Sequence, residues 1–218
     1  ALAQGNYRDA QGLASRARVV LSDSPSDAGV VPSTVMVEAI ARAEGGSLDQ
    51  GFAMAEEAAA HGLAGPDVVA DAAYLALLRG DVDVSDVLEH RLRQAIQSGP
   101  TELGTHYRAT ILAVLRLLTG GEFEEAIAGA RLLSEYATTD IDGPSRAAYL
   151  MALTALLGQD PCAEDALAEA SERIGAQLAW RWNHRIEVLN ACATGEPESL
   201  SGWLRECDRT SALVLPEL

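Results

Sequence analysis

Regularly spaced proline and glycine constrain this chain more than any other feature. Pro32, Pro66 and Pro100 stand 34 residues apart twice over. Gly46 follows Pro32 by 14 residues, Gly80 follows Pro66 by 14, and Gly158 follows Pro144 by 14. Proline is tolerated in the first turn of a helix, where its missing N–H has no partner to lose. Glycine supplies the left-handed residue that ends one. Each interval therefore encloses one helix of about three to four turns.

The glycine series runs Gly5, Gly46, Gly80, Gly121, Gly158 and Gly195. Five residues after each stand Ala10, Gly51, Ser85, Ala126, Ala163 and Leu200, and twelve after each stand Ala17, Ala58, Leu92, Leu133, Ala170 and Cys207. Small or apolar residues seven apart share one helical face, which is what a second helix needs to pack closely on the first. The pattern predicts a lone helix over about Tyr7–Leu21, then pairs. These are Pro32–Glu44 with Leu48–His61, Pro66–Arg79 with Ser85–Ser98, and Thr101–Thr119 with Glu122–Tyr136. Pro144–Leu157 with Pro161–Ile174 and Gln177–Thr194 with Pro197–Arg209 complete the set. Alanine and leucine, both strong helix formers, are abundant, and strand content should be near zero.

Gly5-Asn6-Tyr7 with Ala10 and Ala17, and Gly121-Glu122-Phe123 with Ala126, resemble the turn and small-residue positions of tetratricopeptide repeats. Pro32, Pro66 and Pro100 match the proline that closes such a repeat. The long, alanine-rich repeats look most like the helical sensor segments of LuxR/MalT-type bacterial transcription regulators. The resemblance implies an all-α fold, a right-handed superhelix of antiparallel helix pairs (an α-α solenoid). A single helical-repeat domain over residues 1–218, of about five and a half pairs, is expected. Ala1–Gln4 reads as the tail of a missing first helix and Ser211–Leu218 as the start of another, so the expectation is a fragment of a longer chain.

Charge and composition narrow the chemistry. Acidic residues number 32 against 16 basic ones, for a formal charge of −16. That balance repels phosphate backbones and argues against nucleic acid as a partner of this segment. All 16 basic residues are arginine. A chain without lysine cannot form a Schiff base, complete a Walker A loop or supply the ATP-pairing lysine of a protein kinase. No apolar run approaches the ~18 residues of a membrane span, so no membrane partner is expected and the location expected is cytoplasmic. Cys162, Cys192 and Cys207 contain no C-x-x-C pair and read as reduced thiols.

Motifs that suggest catalysis or metal fall to simpler readings. Gly120-Gly121-Glu122-Phe123 approaches the loop of diguanylate cyclases but lies in a repeat turn between two helices. Asp81, Asp83, Ser85 and Asp86 begin like a calcium loop, yet Asp86 stands where that loop needs glycine and Leu92 where it needs glutamate. Ser85 as a helix N-cap is the simpler account. His61, His90, His106 and His184 show no zinc-ligand spacing. No metal, cofactor or catalytic residue is expected.

The stretch Trp180-Arg181-Trp182-Asn183-His184-Arg185 sets aromatic rings beside guanidinium groups, a pairing suited to recognition. In tetratricopeptide arrays the first helix of each pair lines the concave surface. By offset from the turn glycines, the resemblance places Met36, Ile40, Tyr74, Leu77, Arg108, Ile111, Leu115, Trp182 and Arg185 there. Tyr74, Arg108, Trp182 and Arg185 are the candidate ligand-binding residues. The expected function is a non-catalytic sensor or interaction module that binds a protein or peptide segment, or a small inducer. A constitutive scaffold or co-chaperone-like adaptor is the alternative, and an all-α enzyme the least favoured reading.

Overall fold

The computed structural model describes residues 6–22, 30–136, 143–176 and 180–195. Among them run ten helices and no strand. They are α1 (Tyr7–Ser22), α2 (Val31–Glu44), α3 (Leu48–Ala60), α4 (Pro66–Arg79), α5 (Val82–Ser98), α6 (Leu103–Gly120), α7 (Phe123–Tyr136), α8 (Gly143–Leu157), α9 (Ala163–Ala176) and α10 (Trp180–Thr194). Asn6–Ala109 forms one compact unit and the chain from Thr110 a second. In the first, α1 packs on α2, α2 on α3, α3 on α4 and α4 on α5; in the second, α7 packs on α8, α8 on α9 and α9 on α10. Contacts also skip one helix, from α2 to α4 and from α8 to α10. The described chain is thus all-α, with helices packed in sequential pairs, and within each unit one first helix touches another, α2 with α4 and α8 with α10.

The turn chemistry explains the pairing. Gly46, Gly80 and Gly121 have φ of 97°, 85° and 77°. At each, the next residue donates its N–H back to a carbonyl five residues earlier: Ser47 to Arg42, Asp81 to Ala76 and Glu122 to Leu117, at 2.8–2.9 Å. The left-handed residue itself donates three back, to Ala43, Leu77 and Leu118. This doubled closure satisfies the orphan carbonyls of the helix end and reverses the chain within two residues.

The fourth turn departs from the glycine series. Asp160 donates to Ala155 and Gln159 to Leu156 in the same pattern, so Gln159, with φ of 52°, is the left-handed residue and Gly158 precedes it. Gly158 serves close packing instead: a Cβ there would stand 2.9 Å from Cβ of Phe123 and 3.1 Å from the Thr154 carbonyl. Gly45 holds the equivalent place before Gly46, where a Cβ would meet the Ala41 carbonyl, Gln11 and Tyr7. At the same position before Gly80 stands Arg79, its guanidinium 4.8 Å from the Phe52 ring centroid. Tyr7 and Phe123, two residues after a series glycine, and Gln11, Phe52 and Ile127, six after one, thus meet the end of the next helix.

Two other details correct the sequence reading. Helix α5 starts at Val82, so Ser85 is inside the helix and not its N-cap. Its buried hydroxyl lies 3.1 Å from the Ala73 carbonyl of α4 and 3.2 Å from the Glu89 carboxylate, its one proton shared between two acceptors. Helix α6 starts at Leu103, two residues after the expected Thr101, and Pro100 stays in the connection ahead of it as that expectation implies, whereas Pro32, Pro66 and Pro144 sit in first turns. The expected last helix, Pro197–Arg209, lies outside the described residues.

Helices α2, α4 and α8 are buried on most sides because neighbours cover them. Ala39, Ala41, Ala43, Ala70, Ala72, Ala73, Ala76, Ala152 and Ala155 are all essentially inaccessible. Short side chains let helix axes approach closely, and larger residues fill the remaining space. In the first unit Met36, Phe52, Val68 and Leu75 do so, with Tyr74 and Leu88 packed at the edge.

Candidate functional site

Helices α4 and α6 bring two of the expected site residues into one region of the first unit. Arg108 Nε donates to Asp71 Oδ1 at 3.0 Å, with both side chains partly exposed. Arg108 Nη1 also reaches the Gly104 carbonyl at 3.4 Å, and a Cβ on Gly104 would crowd that nitrogen at 3.2 Å. Glycine at this position leaves the guanidinium room to lie along its own helix. Tyr74 follows Asp71 by one turn on α4, half-buried against the core. The result is an anchored cation, a carboxylate and an aromatic ring on the first helices of successive pairs. Such a surface can hydrogen-bond a peptide and give it an apolar contact.

The other expected residues are placed differently. Met36, Ile111 and Leu115 are buried in the chain's own packing and present no surface to a ligand. Ile40 is half-buried, and Leu77 is at the edge of burial. Arg185 is only 4 % exposed, at the register position that Met36, Ala70, Ile111 and Tyr149 fill in the other helices. It is a cation inside the helix packing of the second unit. The side chain of Trp182 lies outside the described residues.

Three polar clusters escaped the sequence reading. Glu38, 1 % exposed, accepts from Arg42 Nη2 at 2.9 Å and Nε at 3.3 Å, while Arg18 Nε stands 3.6 Å from its other oxygen. Arg42 reaches on to Gln50, at 3.4 Å, so one buried carboxylate ties α1, α2 and the start of α3. Arg79 joins Asp49 at 2.9 Å and Asp81 at 3.0 Å while lying over Phe52. In the second unit Asp160 accepts from the Cys162 backbone at 2.8 Å in the turn before α9.

That turn decides what the Cys162 thiol can do. Its hydrogen bond to Asp160, burial and the Asp160 charge raise its pKa, and Arg131 only partly opposes them. Asp160 is correspondingly lowered, chiefly by the Cys162 thiol and backbone N–H, with Arg131 assisting. A nucleophilic cysteine requires the opposite arrangement, a thiolate favoured by nearby positive charge.

No protein-family model, curated protein or solved structure matches this chain. Among the described residues, no group of three or more His, Cys, Asp or Glu is placed to hold a metal ion. No helix among them is long and apolar enough to cross a membrane. A recess between α7, α8 and α9, lined by Ser134, Met151, Glu169 and Arg173, has a volume of about 30 Å³. That admits one water molecule and falls far below the ~300 Å³ or more of small-molecule pockets.

Proposed function

We propose that this chain is a non-catalytic binding module, a tetratricopeptide-like right-handed superhelix whose first-helix faces receive a protein or peptide segment or a small inducer. In this reading it is the sensor segment of a bacterial transcription regulator. Occupancy shifts the array between conformations and so biases domains outside it. One observation carries the proposal: first helices of successive pairs touch each other directly, α2 with α4 and α8 with α10, so their faces adjoin within each unit. Asp71, Tyr74 and Arg108 supply the polar and aromatic handles of that surface in the first unit.

The test is calorimetric titration of candidate partners against the wild type and the variants Tyr74→Ala, Arg108→Ala and Trp182→Ala. Loss of a hot-spot aromatic or arginine costs about tenfold or more in affinity. Unchanged affinity in all three variants rejects the surface as the binding site.

A further inference from the structure

Helix α1 exposes an apolar stripe, two of whose three positions, those of Leu13 and Ala17, are covered in α3 and α5. Leu13 is 55 % and Val20 71 % exposed, and Ala17 between them is exposed as well. These residues follow one another at four and three positions, so they share a face. The opposite face is occupied: Tyr7, Gln11 and Arg18 reach Glu44, the Ala41 carbonyl and Glu38 of α2.

The shared register says what belongs on the open face. Gly5-Asn6-Tyr7 reads in sequence as Gly46-Ser47-Leu48 and Gly80-Asp81-Val82 do. Counted from those glycines, Ala17 corresponds to Ala58 and Leu92, and Leu13 to Met54 and Leu88. Ala58 and Leu92 are buried, and Met54 and Leu88 are half-buried against the core. The second unit agrees, with Leu133 buried at the place of Ala17. The cover in the first unit is the helix before: Gly51 of α3 abuts Ala39 and Ala43 of α2, and Ser85 of α5 bonds Ala73 of α4. The open face of α1 thus continues an interface already made twice in the same unit.

We infer that the Leu13–Ala17–Val20 face of α1 is the seat of one further helix of the α2 and α4 kind, joined to α1 in the same polypeptide. A second copy of the chain is the poorer occupant. Helix α1 carries Arg8, Arg16 and Arg18 against Asp9, within a chain of formal charge −16. Both the paired helices and the whole molecules would repel.

The α4 helix is a suitable probe, because its partner row on α5, Ser85, Leu88 and Leu92, is nowhere smaller than Ala10, Leu13 and Ala17 on α1. An extended protein carries a duplicate of Pro66–Arg79 directly ahead of Gly5, in place of Ala1–Gln4. Both it and the 218-residue chain carry Ala17→Cys, with Cys162, Cys192 and Cys207 replaced by serine. Labelling by an uncharged maleimide should be fast in the shorter protein and roughly tenfold slower in the extended one, as expected when a site opens only by local unfolding. Leu13→Asp should lower the Tm of the extended protein and leave the 218-residue chain unchanged. Equal labelling of both proteins overturns the inference. So does a 218-residue chain that is already protected as a dimer by light scattering and dispersed by Leu13→Asp, which would make the occupant a second copy.

Discussion

Gly51 lies so close to Ala39 that a Cβ on the glycine would stand 2.5 Å from the alanine carbonyl oxygen. Ser85 and Ala73 repeat this relationship at the same twelve-residue separation, with a hydroxyl bonding the carbonyl at 3.1 Å. One interface closes on bare backbone and the other on a hydrogen bond. Both place α3 and α5 against the middle of the preceding helix.

Gly51→Ala should therefore destabilise the first unit by about 2 kcal/mol or more. The Cβ would also meet Cβ and N of Ala43 at 2.8 Å, and overpacking of this kind costs about 1–3 kcal/mol. Ser85→Ala should cost about 1 kcal/mol, the net value of a buried hydrogen bond, while leaving the Ala73 carbonyl in its helix. Urea unfolding of the two variants checks both values. A neutral Gly51→Ala would contradict the close approach of α2 and α3.

The fourth turn yields a pair of opposite effects at adjacent residues. Gln159 holds a left-handed φ of 52° without being glycine. Gln159→Gly should raise stability by up to about 1 kcal/mol, since a side chain in that conformation costs about 1–2 kcal/mol. Gly158→Ala should lower it by about 1–3 kcal/mol through the clash with Phe123 and Thr154. If Gly158 were the left-handed residue, Gln159→Gly would bring no gain.

Much of the fold could be read from local chemistry, because helix ends are local. Gly46, Gly80 and Gly121 announce their turns through conformations that glycine adopts without strain. Glycine has a second use, close approach, and sequence spacing does not separate the two, so spacing puts Gly158 at the turn position that Gln159 fills. Long-range partners are equally hidden. Ser85 looks like a cap until the Ala73 carbonyl, twelve residues away, is found beside it. Glu38 shows its Arg42 neighbour at four residues but not Arg18 across the interface. For the candidate site, a register offset fixes which residues share a helix face. Whether that face meets solvent or a neighbouring helix depends on stacking, so Met36, Ile111 and Leu115, which the offset assigns to a groove, lie in the core. Tyr74 and Arg108 share a region because Asp71 binds Arg108 across two helices, a contact no spacing rule contains.

The Asp71–Arg108 pair should be coupled modestly. With both side chains partly exposed, a double-mutant cycle of Asp71→Asn and Arg108→Ala should give about 0.5–1 kcal/mol. The coupling should shrink as salt screens the charges. A coupling of zero at low salt would mean that the 3.0 Å contact does not persist in solution.

Cys162 offers a prediction whose sign is set by its neighbours. With Cys192 and Cys207 replaced by serine, the remaining thiol should alkylate with a pH midpoint above that of an ordinary cysteine, since Asp160 and burial hold its proton. Asp160→Asn removes the charge and the strongest acceptor, so the midpoint should fall. The linked effect on folding follows from where each proton is held more tightly. A thiol pKa raised in the folded state contributes stability that is full below the unfolded thiol pKa and lost as pH rises through the folded one. Asp160, lowered in the folded state by the same contact, contributes above the unfolded aspartate pKa and loses that contribution as pH falls through its folded value. The turn between α8 and α9 should therefore hold best between those two limits. Amide exchange of Ala163 and Ala166, whose N–H groups bond Asp160 and Cys162, should accelerate at both ends of the pH range beyond its intrinsic pH dependence. Exchange that follows the intrinsic dependence alone at alkaline pH would mean that the Asp160–thiol contact does not stabilise the turn.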